Sequence, residues 1–300
     1  MTEQNEAFQK FLLSGRILRE TREEMKAFVK EDMKIIDVCE KAESLIREKG
    51  GKPAFPCNVS INEVAAHYTS PPGDQKRVPR GSLVKVDIGA HVDGYVTDTA
   101  VTVCFDPQYV GMVDAAKQAL ETAVRNIKPG LSTSRLGSMI ESTIKSRGFK
   151  PISNLTGHQV GRYLVHAGIS LPNVSHLFSS KIELGAIYAV EPFTTLPDAA
   201  GRVEDGSEIT IFRFQKSRSL KNQYAKQLLR HIEVSYRTLP FAERWLKGVV
   251  PEEHYGDAFR ELLASKVLAA YPVFVETSRK MVAQAEHTVL VTEDGCLVLT

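Results

Sequence analysis

The sequence predicts an α+β domain, and three observations carry that reading. Helical periodicity opens the chain, a β-hairpin with an aspartate on each arm follows, and a helix–helix–Gly-x-Lys-Pro segment occurs twice at constant separation. A length of 300 residues exceeds the usual domain, yet one large unit reaches it, so residues 1–300 are read as a single domain. The 38 basic and 36 acidic residues leave a formal charge of +2. No field of one sign results, which argues against a specific nucleic-acid partner or a membrane surface. The four cysteines, Cys39, Cys57, Cys104 and Cys296, are scattered and form no Cys-x-x-Cys pair. That fits a reducing cytoplasm and not a disulfide framework. The first 30 residues are rich in Glu, Lys and Arg, and no apolar run approaches the ~18 residues needed to cross a bilayer. The expectation is a soluble, unprocessed, cytoplasmic chain.

Phe8, Leu12, Leu13, Ile17, Leu18, Met25 and Val29 recur at helical spacing over about 6–30, and a second helix runs from about 32 to Gly50-Gly51. Residues 83–88 then turn β-branched and apolar, Asp93-Gly94 is a hairpin turn pair, and 95–103 resume the strand pattern. A helical pair follows at about 111–127 and 133–147, split by Lys128-Pro129-Gly130 and closed by Gly148. Residues 46–53 and 144–151 align at an offset of 98, and Glu43 with Glu141 extends the register. A duplicated half-domain explains this better than chance resemblance of two basic helix ends. Short strands are expected near 157–167 and 185–194, with a last pair at 285–291 and 296–300. Between them, about 215–278 reads mostly as helix (223–236, 241–247 and 255–270), a helical insertion on the parent domain and not a linker.

Asp87 and Asp98 are the most informative pair. Aspartate is disfavoured in strands, and a turn at Val92-Asp93 or Asp93-Gly94 sets Asp87 opposite Asp98 or Ala100, which leaves both carboxylates on one face. Either one of them holds a proton or a cation lies between them. Gly157-His158, with His166 eight residues on, and Glu191 and Glu286, each at the end of an apolar strand, add further donors. Singly, each has an ordinary explanation as a solvated face, a core histidine or a strand-end charge. Together, four carboxylates and an imidazole suit two divalent cations of the Mn, Co, Fe or Zn kind, with an open bridging position for water or hydroxide.

These residues, in the order Asp87, Asp98, His158, Glu191, Glu286, and the segments Val86-Asp87-Ile88-Gly89, Gly94-Tyr95-Val96-Thr97-Asp98, Glu191-Pro192-Phe193 and Glu286-His287-Thr288 resemble the methionine aminopeptidases and their pita-bread relatives. Residues 60–69, His166-Ala167-Gly168-Ile169 and the helical insertion make the sequence most similar to the type 2 enzymes, over about 14–300. The short N-terminus resembles the archaeal members. The resemblance implies a pita-bread fold, with pseudo-two-fold duplicated helices around a curved antiparallel sheet. It also implies a dinuclear metalloprotease that removes N-terminal methionine from nascent proteins and peptides through a metal-bridging hydroxide, preferring a small second residue. Asp87 would chelate one metal, Asp98 and Glu286 would bridge both, and His158 and Glu191 would complete the ligands of the second metal. Glu191 would also shuttle the proton, His166 would hold the scissile carbonyl oxygen and His67 would contact the substrate beside it. Phe55, Val165 and Tyr271 would surround the methionine side chain. A monomer acting on nascent N-termini, with the ribosome as an open partner, is the implied setting. Residues 196–207 carry few family landmarks, so a pocket histidine of some type 2 enzymes has no counterpart to map there.

Two other readings stay in view. A prolidase or aminopeptidase P would keep fold and metals and cleave before proline, but those relatives usually carry an added N-terminal domain. A non-catalytic binding protein on the same shell would be expected to have lost ligands, and all five positions are present. Cys57 reads as a small pocket or core residue and not a nucleophile, because no histidine motif is paired to it.

Overall fold

The computed structural model describes residues 3–300. Helices α1 (Glu3–Phe28) and α2 (Ile35–Glu48) lead into β1 (Lys52–Ile61), β2 (Val64–Ala66) and the hairpin β3 (Leu83–Val92) and β4 (Tyr95–Cys104). Then α3 (Val110–Asn126) and α4 (Thr133–Ser146) precede β5 (Lys150–Pro151), β6 (Thr156–Gln159), β7 (Ser170–Pro172), β8 (Ile187–Val190) and β9 (Phe193–Thr195). The last third holds β10 (Val203–Phe214), α5 (Gln223–Ser235), β11 (Pro240–Ala242), α6 (Glu252–Ala264), β12 (Leu268–Glu276), β13 (Val282–Gln284), β14 (Glu286–Val291) and β15 (Cys296–Val298).

The expected duplication is present in the backbone. Both bounds of α2 and α4, the last residues of α1 and α3, and the first residues of β1 and β5 all differ by the offset seen in the sequence. Each second helix ends at a glycine in the left-handed region, Gly50 at φ 88° and Gly148 at φ 81°, where a side chain would be strained.

The strands form three sheets: eight strands in the order β1-β3-β4-β14-β8-β6-β7 with β15 on β14, four in the order β11-β10-β12-β2, and three in the order β13-β9-β5. Strand alternation decides what each face of the large sheet does. Val84, Val86 and Ile88 pack into one core with Ile17, Leu18 and Met25 of α1 and Val38 and Ala42 of α2. Val289 and Val291 pack with Ala119 of α3 and Ile140 of α4 in a second. Asp87 and Glu286, one residue out of phase, therefore point away from the helices, onto the opposite face.

The insertion differs from its expected form. Helix accounts for α5 and α6, which share a core with Phe212, Phe241 and Leu268. The reading of 255–270 as helix fails at Lys266, whose φ of 54° ends α6, and Leu268–Glu276 is a strand paired along β10. Likewise 241–247 divides into the end of β11 and a 3-10 turn at Glu243–Leu246. Leu-Ala-Ala-Tyr-Pro-Val-Phe-Val is as compatible with a strand as with a helix, and pairing to β10 settles it.

Candidate metal centre and substrate cavity

The hairpin turn sets the register of the site. Asp93 and Gly94 have φ of 51° and 90° and join Val92 to Tyr95 in a two-residue turn, so Asp87 lies opposite Ala100 and Asp98 opposite Gly89. Both carboxylates share the concave face. On the other side of β4, Glu286 also lies opposite Ala100, giving a row Asp87–Ala100–Glu286 across three strands. The small methyl of Ala100 leaves room between the two acids. His158 comes from β6, opposite Ala189 of β8, and Glu191 follows directly on β8. That approach needs Gly157, because a Cβ there would sit 2.4 Å from the Ala189 carbonyl oxygen.

The five residues meet through short contacts. His158 Nε2 lies 3.6 Å from Asp98 Oδ2 and 3.5 Å from Glu191 Oε1. Asp98, His158 and Glu286 offer donor atoms within 4.8 Å of one another. Gln284 Nε2 donates to Asp87 Oδ2 at 3.4 Å and to Glu286 Oε2 at 3.2 Å, which ties the two ends of the row. The remaining oxygens Asp87 Oδ1, Asp98 Oδ1 and Glu286 Oε1 are buried without a hydrogen-bond partner.

Burial pushes the Asp87 carboxyl up to about 6. Burial, reinforced by the neighbouring carboxylates, pushes Asp98, Glu191 and Glu286 well above the usual carboxylate range. The His158 imidazole is driven down to about 3 by burial and then by His166, so it stays neutral and able to act as a ligand. Orphaned oxygens, crowded acids and a neutral imidazole are what a bound cation would satisfy. The donor set fits divalent metal.

Around this centre lies a cavity of about 250 Å³. Every predicted ligand and substrate-contacting residue lines it: the four acids and His158, with His67, His166, Phe55, Val165 and Tyr271. His67 has a left-handed φ of 67°, an unusual conformation for a histidine. Its Nδ1 lies 3.3 Å from the Pro272 carbonyl oxygen, which only accepts, so Nδ1 carries the hydrogen and Nε2 keeps its lone pair. Burial, then the neighbouring His166, lowers His67 to about 4. His166 is also lowered, by burial and by Arg213. The Phe55 ring packs closely against Gly89, where a Cβ would meet it at 2.2 Å.

Sequence reasoning missed several residues of the site. Asn58, which lines the cavity directly opposite Asp87, and Gln284, at the end of β13 and hydrogen-bonded to both Asp87 and Glu286, are polar groups inside apolar runs. That signal was readable. Ile211, Pro240 and Phe274 were not, because they reach the cavity through the pairing of β10 with β11 and β12. No residue of 196–207 lines the cavity, whereas Ile211 and Phe274 do. Cys57 is buried in the core beside Cys39 and does not line the cavity, so of the two places expected for it, pocket or core, it takes the core.

Comparison with known proteins bears on this geometry. Residues 9–293 match the model of metallopeptidase family M24. The chain is 44% identical to a methionine aminopeptidase of Methanothermobacter thermautotrophicus, covering 97% of each sequence.

The chain belongs to metallopeptidase family M24.

Among solved structures, this family M24 chain resembles a thermophilic Arx1 with a TM-score of 0.82 at 18% identity, covering 100% of this chain and 91% of that one. It also resembles a methionine aminopeptidase of Thermotoga maritima with a TM-score of 0.71 at 22% identity, covering 100% and 98%. These likenesses concern the fold, which is the expected pita-bread arrangement. As a family M24 metallopeptidase the chain uses divalent metal, and the buried acids around His158 are where its donors converge.

Proposed function

We propose that this chain is a methionine aminopeptidase of type 2, which removes N-terminal methionine from peptides and nascent proteins and prefers a small second residue. The observation that carries the reading is the convergence of four acids and His158 at the floor of one cavity whose wall is Phe55, Val165 and Tyr271. The full-length similarity to an archaeal methionine aminopeptidase supports the substrate. Two divalent ions would be held by Asp87, Asp98, His158, Glu191 and Glu286; when bound, they supply Lewis acidity that lowers the pKa of a water and polarises a carbonyl.

The chain's own residues do the rest. Phe55, Val165 and Tyr271 take the unbranched thioether side chain. Glu191, ionised as a ligand, accepts a proton from water and returns it to the leaving amine, and the raised proton affinity that burial gives its carboxylate suits it to that exchange. Neutral His166 donates an N–H to the carbonyl oxygen as it becomes an oxyanion. His67, with its Nε2 lone pair free, accepts the N–H of the scissile amide.

We further propose one catalytic domain spanning the chain, with the helical insertion as a subdomain, acting as a cytoplasmic monomer on free peptides and on chains leaving the ribosome. The free thiols fit that reducing setting. The deciding experiment compares Met-Ala-Ser with Xaa-Pro-Yaa peptides after reconstitution with manganese or cobalt. Release of methionine from Met-Ala-Ser, falling as the second residue grows, is expected. Preference for the Xaa-Pro peptides would replace the substrate assignment, and a metal-reconstituted chain inert on both would return it to a binding role.

A further inference from the structure

Strand β1 does not run regularly beneath the cavity. In its ladder with β3, Phe55 pairs with Gly89 and Asn58 with Asp87, so three steps on β1 match two on β3. The extra residue is a β-bulge at Pro56-Cys57. It has a consequence for the site: in a regular strand residues 55 and 58 would face opposite sides, and only the bulge brings both Phe55 and Asn58 into the cavity.

A bulge leaves backbone groups without ladder partners, and here they are captured from elsewhere. The Cys57 N–H donates to Glu43 Oε1 at 3.1 Å, and the Cys57 carbonyl accepts from the Thr69 hydroxyl at 2.8 Å. Glu43 is 2% exposed and stands on the apolar face of α2, a costly place for a carboxylate unless it is paired. Besides Arg47 one turn on in α2, 3.9 Å away, its side-chain partners come from the helical insertion. Arg244 Nη2 donates to Glu43 Oε1, and Trp245 Nε1 donates to Oε2 at 2.7 Å. Arg244 Nη1 donates to Thr69 Oγ1 and to the Ser70 carbonyl, both at 2.9 Å. Both backbone groups of Cys57 thus depend on groups that Arg244 holds.

We propose that Glu43, Arg244 and Trp245 form a positioning cluster through which the insertion holds the β1 bulge, and so sets Phe55 against the methionine side chain and Asn58 against Asp87. This rests on the substrate assignment made above. A buried ion pair by itself is weak evidence of stabilisation, since a well-packed apolar replacement is often neutral or better. The same fact supplies the test, because an apolar pair can keep the fold while abandoning the bulge.

The experiment uses the double variant E43M/R244M in the full chain, with three readouts: thermal unfolding, peptide kinetics on Met-Ala-Ser and Nle-Ala-Ser, and amide hydrogen exchange over residues 54–60. The expected result is a folded protein whose KM for Met-Ala-Ser rises by about tenfold with a smaller change in kcat, whose preference for methionine over norleucine shrinks, and whose Cys57 amide exchanges faster. R244K should restore part of the loss. If the double variant fails to fold, W245F, which deletes one donor to Glu43, should shift the same readouts in the same direction. A folded double variant with wild-type KM, selectivity and exchange overturns the proposal. A wild-type chain that cleaves no methionyl peptide sinks the substrate assignment instead, and the exchange measurement then decides on its own whether the cluster holds the bulge.

Discussion

At the scale of single residues, Glu191 has two duties that pull its carboxyl in opposite directions. A ligand must be ionised, whereas a proton shuttle must readily bind the proton that water gives up; burial and then Asp87 raise its carboxyl toward the second duty, and a bound cation would favour the first. Glu191→Gln keeps the shape and removes both the charge and the proton-carrying oxygen. Its kcat on Met-Ala-Ser at saturating manganese should fall by roughly 10²-fold or more, in line with the loss of a general acid–base group. A variant within a few-fold of wild type would show that another group moves the proton. The residue types needed for this chemistry were legible in the sequence, because acids and histidines inside apolar strands are rare without a reason. Which oxygen faces which partner was not, since that depends on side chains from four different strands meeting.

At the scale of elements, the site depends on how closely β6 approaches β8. Gly157 permits it, and the Ala189 carbonyl oxygen occupies the space a methyl group would need. Gly157→Ala should therefore separate the two strands at His158 and lower stability by about 1–3 kcal/mol, the usual range for overpacking. Calorimetric or fluorescence-detected melting should show the loss, and manganese titration should show weaker binding than wild type. Unchanged metal affinity in a destabilised variant would mean that His158 is positioned without this contact. The sequence signalled the glycine through its place before a histidine. It misread Leu268–Glu276 for the opposite reason: local composition was ambiguous, and the choice of strand came from pairing to a segment more than fifty residues earlier.

At the scale of the molecule, the acids create strain that a cation relieves. Their folded pKa values lie above the unfolded ones, so the metal-free fold carries no penalty from them below about pH 4 and a growing one as pH rises through the folded values, about 6 for Asp87. Cation binding must displace the protons these groups retain. The rise in melting temperature produced by a fixed concentration of manganese should be larger at pH 8 than at pH 6. Calorimetric titration in buffers of different ionisation enthalpy should register proton release. A manganese effect independent of pH would contradict the raised carboxylates.

Local order was decided by the chain itself: the duplicated helical frame, the turn at Asp93-Gly94 and the shared face of Asp87 and Asp98 all follow from periodicities that act over a few residues. Convergence was decided by tertiary structure. Glu286 reaches Asp98 only because β14 pairs with β4, and Phe55 and Asn58 share the cavity only because β1 bulges. The physical reason is the same in each case. A residue's neighbours along the chain determine its conformation and its face, whereas its partner across the cavity is set by which distant strand buries the next edge.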